Sequence, residues 1–455
     1  MNGPANTLAS PTPAGGGALR KRGAFARSAR TLACAGLLAS PFLAGCSGQG
    51  GEDSAAASSP ATKADLTPGV DIPTAKVDFS MAPFADDTIA AIGTKLGYFK
   101  DNGIQIGPEA NGAKLALTAN VAPLISGQVD AGSAVFEVLL SKLDTVDNVR
   151  TFVVHGSFEG FALFAPIGSD AKSVKELEAE GKPFDVALKE AIGQFKGDTL
   201  AFSNDPSIQL FYSLLFDVAG VKEADFDVSR VANAQVVNLA LAGRAELAAP
   251  SGGPQVERLA SSGLKEIVNE QQILAASTDE RRLALVNHST YVTTKKFYDE
   301  NYNTVLRMAG AVYRSLDLIR KDPQAAAAAQ LPYLNAYAGS KTTPKQLAFL
   351  HETITHERTF DEMADYFTRD NAFNVYTSGA AQIAELRKKQ VLRKPHEVDE
   401  LDGAKQVYLD MLDLKNRSAK LLKEKATGDP AVLKVARERY EQRNYLDAYR
   451  ALATL

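Results

Sequence analysis

Leu96-Gly97-Tyr98-Phe99-Lys100-Asp101-Asn102-Gly103-Ile104-Gln105-Ile106 and, further along, Leu124-Ile125-Ser126-Gly127-Gln128-Val129-Asp130-Ala131-Gly132 share one pattern. Each ends a helix on a glycine and opens a short apolar strand. Upstream, Val77-Asp78-Phe79-Ser80-Met81 reads as a strand, and the loop Pro83-Phe84-Ala85-Asp86-Asp87 leads into Thr88 to Leu96. That segment carries Ile89, Ile92 and Leu96 at helical spacing and stops at Gly97, where a left-handed cap favours glycine. Ile104-Gln105-Ile106 follows as a second strand. A helix from about Leu115 to Ile125, stopped by Gly127, feeds a third strand at Val129 to Ser133. Strands alternating with helices in this way predict an α/β sheet.

The unit then recurs. Thr199 to Ser203 is a strand, and Asn204-Asp205-Pro206 supplies an N-cap with proline in the first turn. The helix Ser207 to Ala219 buries Ile208, Phe211, Leu215 and Val218 and ends at Gly220. Ser126 to Gly132 and Ala242 to Ala248 share one role, a glycine stop, a polar residue and an apolar strand, which predicts two similar lobes. From about Tyr298 the pattern is helical, broken at Pro323, Pro332, Pro344, Pro395 and Pro430. Ala431 to Leu455 is charged and amphipathic and reads as a helical appendage.

The chain of 455 residues has room for several domains, and its net charge of −4 argues against general nucleic-acid binding. Its two cysteines, Cys34 and Cys46, both lie near the start, so the body has no material for disulfides or a Cys-ligated metal. Arg20-Lys21-Arg22, Arg27 and Arg30 form a positive region ahead of the apolar run Thr31 to Leu43, which is shorter than the ~20 residues that span a bilayer. The run closes on Leu43-Ala44-Gly45-Cys46, which resembles the bacterial lipobox. That resemblance implies a signal peptide over 1–45, lipidation at Cys46 and a mature chain of net charge −9, since the peptide removes five Lys/Arg and no Asp/Glu. Residues 46–75, rich in Ser, Gly, Ala and Pro, then read as a flexible tether.

The Leu96–Ile106 and Leu124–Gly132 segments, at their mutual distance, resemble the opening of the extracytoplasmic solute-binding proteins of ABC importers for nitrate, sulfonate, taurine, bicarbonate and thiamine pyrimidines. The resemblance covers roughly Lys76 to Pro323. It implies a two-lobed periplasmic-binding-protein-like fold of type II with a cleft between the lobes, here followed by an extended α-helical C-terminal region. Lobe 1 is expected over 76–167 and 285–330, lobe 2 over 168–284, and the helical region over 331–455. It also implies a receptor that is not an enzyme, needs no cofactor or metal, and hands a small-molecule ligand to a permease and its ATPase. Carried over by position, the loops facing the ligand are Pro83–Asp87, Ala134–Glu137, Gly156–Phe161, Asn204–Ser207, Asn233–Gln235 and Pro250–Gly253. The residues expected at the ligand are Phe84, Asp86, Asp87, Phe136, Glu137, Ser157, Phe158, Glu159, Asn204, Asp205, Ser207, Asn233, Gln235, Ser251 and Gly252.

Those loops carry an unusual charge pattern for an anion receptor. Asp86, Asp87, Glu137, Glu159 and Asp205 stand against no Lys or Arg. Carboxylates at helix N-termini occupy the N–H groups that would hold an oxyanion and repel it. Phe84, Phe136, Phe158 and Phe161 offer flat walls. Together they point to a neutral or cationic solute, pyrimidine-like or amine-like. The alternatives are an anion such as sulfonate, nitrate or bicarbonate and, as a different class, a sensory or scaffold lipoprotein whose helical C-terminus engages a partner. Under the transport reading, deletion after about Asp413 leaves ligand binding intact. The thiamine-pyrimidine synthases of this fold rely on a cysteine-rich iron motif, which this body lacks. His351-Glu352-Thr353-Ile354-Thr355-His356 suggests a zinc helix, but its histidines, five apart, diverge by about 140°.

Overall fold

A computed structural model of the chain describes residues 64–110, 112–114, 121–204, 206–338, 341–367 and 373–455. The expected signal peptide, Cys34, Cys46 and the tether up to residue 63 lie outside them, as does Asp205. Among the described residues, eleven strands form two sheets. They are β1 (Ala75–Met81), β2 (Ile104–Gly107), β3 (Ala113–Lys114), β4 (Ala131–Val135), β5 (Val149–Phe158), β6 (Ala162–Ala165), β7 (Thr199–Ser203), β8 (Asp227–Val231), β9 (Leu247–Ala249), β10 (Lys265–Asn269) and β11 (Asn287–Thr294).

The first sheet runs β2-β1-β4-β11-β5, with β3 beside the end of β1. Its β1 is parallel to β2 and β4, while β11 is antiparallel to β4 and β5. The second runs β10-β6-β9-β7-β8, with β7 parallel to β8 and β9 and β6 antiparallel to β9 and β10. The chain crosses from the first sheet to the second through Glu159-Gly160-Phe161 and returns through Val286. The forward crossing precedes the expected boundary at 168, because Ala162–Ala165 already pairs with β10 and β9.

Local rules explain most boundaries. The helix Ile89–Lys95 ends at Leu96, and Gly97 takes φ 80°, the left-handed turn that a Cβ would resist. The strand expected from Val129 starts at Ala131; Asp130, just before it, joins β1 by its backbone amide on the Asp78 carbonyl at 2.7 Å and by its carboxylate on the Asp78 amide at 2.9 Å. Gly156 to Phe158, expected as loop, continue β5. Asn233–Leu241 is helix from its first residue, so Asn233 to Gln235 form a first turn and not a loop.

Two cores hold the lobes. In lobe 2, Leu163, Leu188, Ile192, Leu200, Phe202, Tyr212 and Leu215 pack between the sheet and its helices. In lobe 1, Phe79, Ile92, Phe152 and Tyr291 share one core with Met308 and Val312 of the helix Tyr302–Lys321 and with Tyr408, Met411, Tyr445 and Leu446 near the C-terminus. The C-terminal segment is therefore part of lobe 1 and not an appendage. Its last helices also hold the segment before β1: Arg450 donates to the carbonyl of Thr67 at 2.9 Å, and its own carbonyl accepts the amide of Gly69 at 3.0 Å.

Candidate functional site

The parallel strands β1, β4, β7 and β9 all end toward one crevice, where open α/β sheets place their ligands. Between the lobes lies a narrow cavity of about 60 Å³. Phe84, Asp86, Asp87, Val135, Phe158, Asn287, His288 and Ser289 line it from lobe 1 and its edge, and Phe161, Ile208 and Gly252 from lobe 2. No lysine or arginine is among these lining residues.

Phe84, Asp86 and Asp87 sit on the loop between β1 and the helix Ile89–Lys95. Asp87 is almost fully buried. Ser133 hydrogen-bonds its carboxyl, and Oδ2 has no hydrogen-bond partner among the described residues. Burial, reinforced by the neighbouring Asp86, drives its pKa far above the ordinary carboxylate value. Asp86 accepts from the Ser289 hydroxyl. Burial raises its pKa too, with Ser289 opposing and Glu357 adding to the rise. The loop is pinned from behind by Gln330, whose Nε2 donates to the carbonyl of Ala85 and, at 2.9 Å, to Thr88 Oγ1.

The walls are aromatic. Phe161 stacks on Phe211 with centroids 4.1 Å apart and meets Phe158 edge-on at 4.9 Å. Gly252 has φ 83°, and a Cβ there would lie 3.4 Å from the Phe84 ring, so the two lobes touch at this point. Asn233 holds the Gly252 loop in place: its Oδ1 accepts the amide of Ser251 at 2.9 Å, and its Nδ2 donates to the Ser251 carbonyl.

His288 is locked by the C-terminal region. The Ser378 hydroxyl gives its single proton to the Asn374 carbonyl at 2.7 Å, so it must accept from His288 Nε2–H. Nδ1 is then the acceptor of the Tyr366 hydroxyl. Burial, with Arg358 nearby, depresses its pKa to about 3. The imidazole is neutral, has both nitrogens occupied, and offers the cavity only its ring.

The expected residues thus fall into groups. Phe84, Asp86, Asp87, Phe158 and Gly252 line the cavity. Asn233 and Ser251 shape it from behind. Phe136 is core, packed edge-on against His288 at 6.2 Å, because the chain turns into the helix Phe136–Leu140 directly after β4 and carries it inward. Glu137 on that helix is buried beside the start of β11, its Oε1 accepting the amide of His288 at 2.9 Å, and burial raises its pKa to about 8. Ser157 donates to Glu159 at 2.8 Å, and Glu159 faces His356 at 3.3 Å, away from the cavity lining. Asn204 and Gln235 are exposed and do not line it. For Ser207 the side chain lies outside the described part.

Asn287 and Ser289 are not among the expected residues, and neither is His288. All three come from the first residues of β11, an antiparallel strand that enters the site by its N-terminal end, where a search for strand C-termini does not look. His351 serves a structural role: its Nε2 lies 2.9 Å from Gln330 Oε1 and its Nδ1 2.6 Å from Glu357 Oε1. Among the described residues, no group of three or more His, Cys, Asp or Glu could hold a metal ion.

No family model matches the chain, and no curated protein matches it in sequence. Solved structures do resemble it. One, described as a periplasmic sulfonate-binding protein SsuA from Methylobacillus flagellatus KT, is 16% identical with TM-score 0.52, covering 75% of this chain and 95% of its own. The aliphatic sulphonate binding protein SsuA from Escherichia coli is 12% identical with TM-score 0.51, covering 71% and 91%. The desulfurization enzyme DSZB is 11% identical with TM-score 0.49, covering 74% and 99%. At these identities the likeness is one of fold: two α/β lobes around a cleft, as in the periplasmic solute-binding proteins of ABC importers, with an added helical C-terminal region.

Proposed function

We propose that the chain is a non-enzymatic solute receptor, anchored to the outer face of a bacterial membrane through a lipid on Cys46. It would capture a small organic molecule between its lobes and deliver it to an ABC permease with its ATPase. The ligand is neutral or cationic, planar, and pyrimidine-like or amine-like. One observation carries this reading: the cleft sets two buried carboxyls, Asp86 and Asp87, beside the rings of Phe84, Phe158 and Phe161, with no cation among its lining residues. An ammonium or amidinium would find hydrogen-bond acceptors and π faces there, whereas a sulfonate or nitrate would find no positive partner. The structural neighbours named for sulfonate binding share the fold, and this charge pattern argues for a different ligand class here. The lining Ser289 hydroxyl is committed to Asp86 and the His288 nitrogens to Ser378 and Tyr366, which supports binding over catalysis. The test is mass spectrometry of small molecules released from gently purified protein. Amines or aminopyrimidines are the expected result; a co-purifying sulfonate would overturn the ligand class.

A further inference from the structure

Beneath the Asp86 and Asp87 loop the protein buries more ionisable chemistry than shape alone requires. Glu357, on the segment that crosses behind the loop, interacts electrostatically with Asp86 and with His155 of β5. Its Oε1 is shared by Thr355 Oγ1 and His351 Nδ1, and its Oε2 has no partner among the described residues. His155, fully buried against the Tyr291 ring at 5.3 Å, has no partner for either nitrogen there, and burial holds its pKa down at about 4. It is neutral and cannot offset the carboxyls.

The count of protons in the cluster is constrained. Gln330 uses its Nε2 on Ala85 and Thr88, so it presents Oε1 to His351, whose Nε2 must carry a proton. Its Nδ1 lies 2.6 Å from Glu357 Oε1, so His351 and Glu357 satisfy each other and not Asp86 or Asp87. The arginines nearby face elsewhere: Arg320 bonds the Glu357 backbone carbonyl and Glu362, and Arg358 lies over the Tyr366 ring at 4.6 Å. Ser133 and Ser289 supply hydroxyls only, and Tyr291 donates to the Asp87 carbonyl. Asp86 and Asp87, adjacent and buried with only hydroxyls beside their carboxyls and Asp87 Oδ2 unpartnered among the described residues, cannot both be ionised in so dry a site.

We propose that the Asp86 and Asp87 pair keeps a proton in the ligand-free receptor and releases it to solvent when a cationic solute seats against it. This rests on the cationic reading of the cleft. The cation takes over the neutralising role of the proton, so the net charge of the site with its ligand equals that of the empty site, and the affinity becomes pH-dependent. Below the ionisation of the pair, affinity for the cation rises about tenfold per pH unit for each proton released, and flattens above it. A neutral ligand of the same shape shows no such rise.

Benzamidinium and benzamide form a matched planar pair for the test. Calorimetry of the full chain in two buffers of different ionisation enthalpy counts protons. About one proton released per benzamidinium, and none in Asp87→Asn or Asp86→Asn, is the expected result. Benzamidinium binding without proton release overturns the proposal while leaving the cationic receptor standing; binding of benzamide in preference to benzamidinium overturns both. A ligand-free measurement decides the matter if neither probe binds. The infrared carbonyl band of protonated carboxyl groups at neutral pH should be weaker in Asp87→Asn or Asp86→Asn than in the unaltered chain. Equal bands in both variants would refute the stored proton.

Discussion

Asp87 shows what a single position can and cannot reveal in sequence. Its place on a strand-to-helix loop follows from the spacing of Met81 and Ile89, but its surroundings come from far away in the chain: Ser133 bonds its carboxyl, Tyr291 its backbone carbonyl, and Oδ2 is left without a partner among the described residues. Glu137 departs from its expected place for a similar reason: a helix that starts without a loop turns it toward the start of β11. Its raised pKa has a testable sign. From the ordinary 4.5 to about 8, the folded state holds a proton that the unfolded chain has lost. Its contribution to stability is therefore complete below 4.5 and is lost as pH rises toward 8, at no more than about 1.4 kcal/mol per pH unit. In urea unfolding at about pH 5 and pH 8, Glu137→Gln should lose less stability across the interval than the parent; an identical loss would contradict the assignment. His155 runs the opposite way. With its pKa depressed from 6.5 to about 4, its contribution is intact above 6.5 and falls away as pH drops toward 4. His155→Phe should match or exceed the parent at neutral pH, since no buried nitrogen then goes unpaired, at ~1–3 kcal/mol for such a group. It should also unfold at lower pH in acid titrations followed by circular dichroism.

At the scale of elements, the parallel strands and their glycine-stopped helices are legible because each boundary is local. Gly97, Gly127 and Gly220 all take the positive φ that their stop positions require. The non-local pairings are not. The edge strand β5 is covered by the segment after Leu350: Ile354 accepts the amide of Glu159 at 2.8 Å, and the Arg358 amide donates to His155 at 2.7 Å. That cover protects an edge that would otherwise be free to pair. It comes so close that a Cβ at Gly156 would stand 2.7 Å from the Thr355 carbonyl oxygen. Gly156→Ala should therefore cost about 1–3 kcal/mol in chemical denaturation. It should also speed amide exchange at Glu159 and Arg358; unchanged exchange would mean that the cover does not depend on this approach.

For the whole molecule, the helical C-terminus is the largest revision. Its amphipathic pattern is plain in sequence, but its docking surface is not, because the partner residues lie on the distant helix Tyr302–Lys321. Arg307, buried on that helix, forms a two-point pair with Asp447 at 2.7 and 2.9 Å, and Arg450 adds a third contact at 2.8 Å. Removing one partner of such a pair strands a buried charge and costs roughly 3–5 kcal/mol. Asp447→Ala should lower the thermal midpoint sharply. Deletion after Asp413, expected from sequence to spare ligand binding, should instead yield protein that unfolds or aggregates. The proposed anchor makes a separate prediction: Cys46→Ser should move the protein from the membrane fraction to the soluble one, and retention in membranes would contradict lipidation there.

A cationic, ring-stacked solute in the cleft is tested most directly by thermal unfolding of the full chain against a panel of planar amines and aminopyrimidines, their neutral isosteres, and alkanesulfonates and nitrate. A ligand at a hundred times its dissociation constant stabilises by about 2.7 kcal/mol, so a true substrate stands out. Stabilisation by cationic members, abolished in Asp86→Asn or Asp87→Asn, is the predicted result. Stabilisation by a sulfonate or nitrate with none from the amines would contradict it.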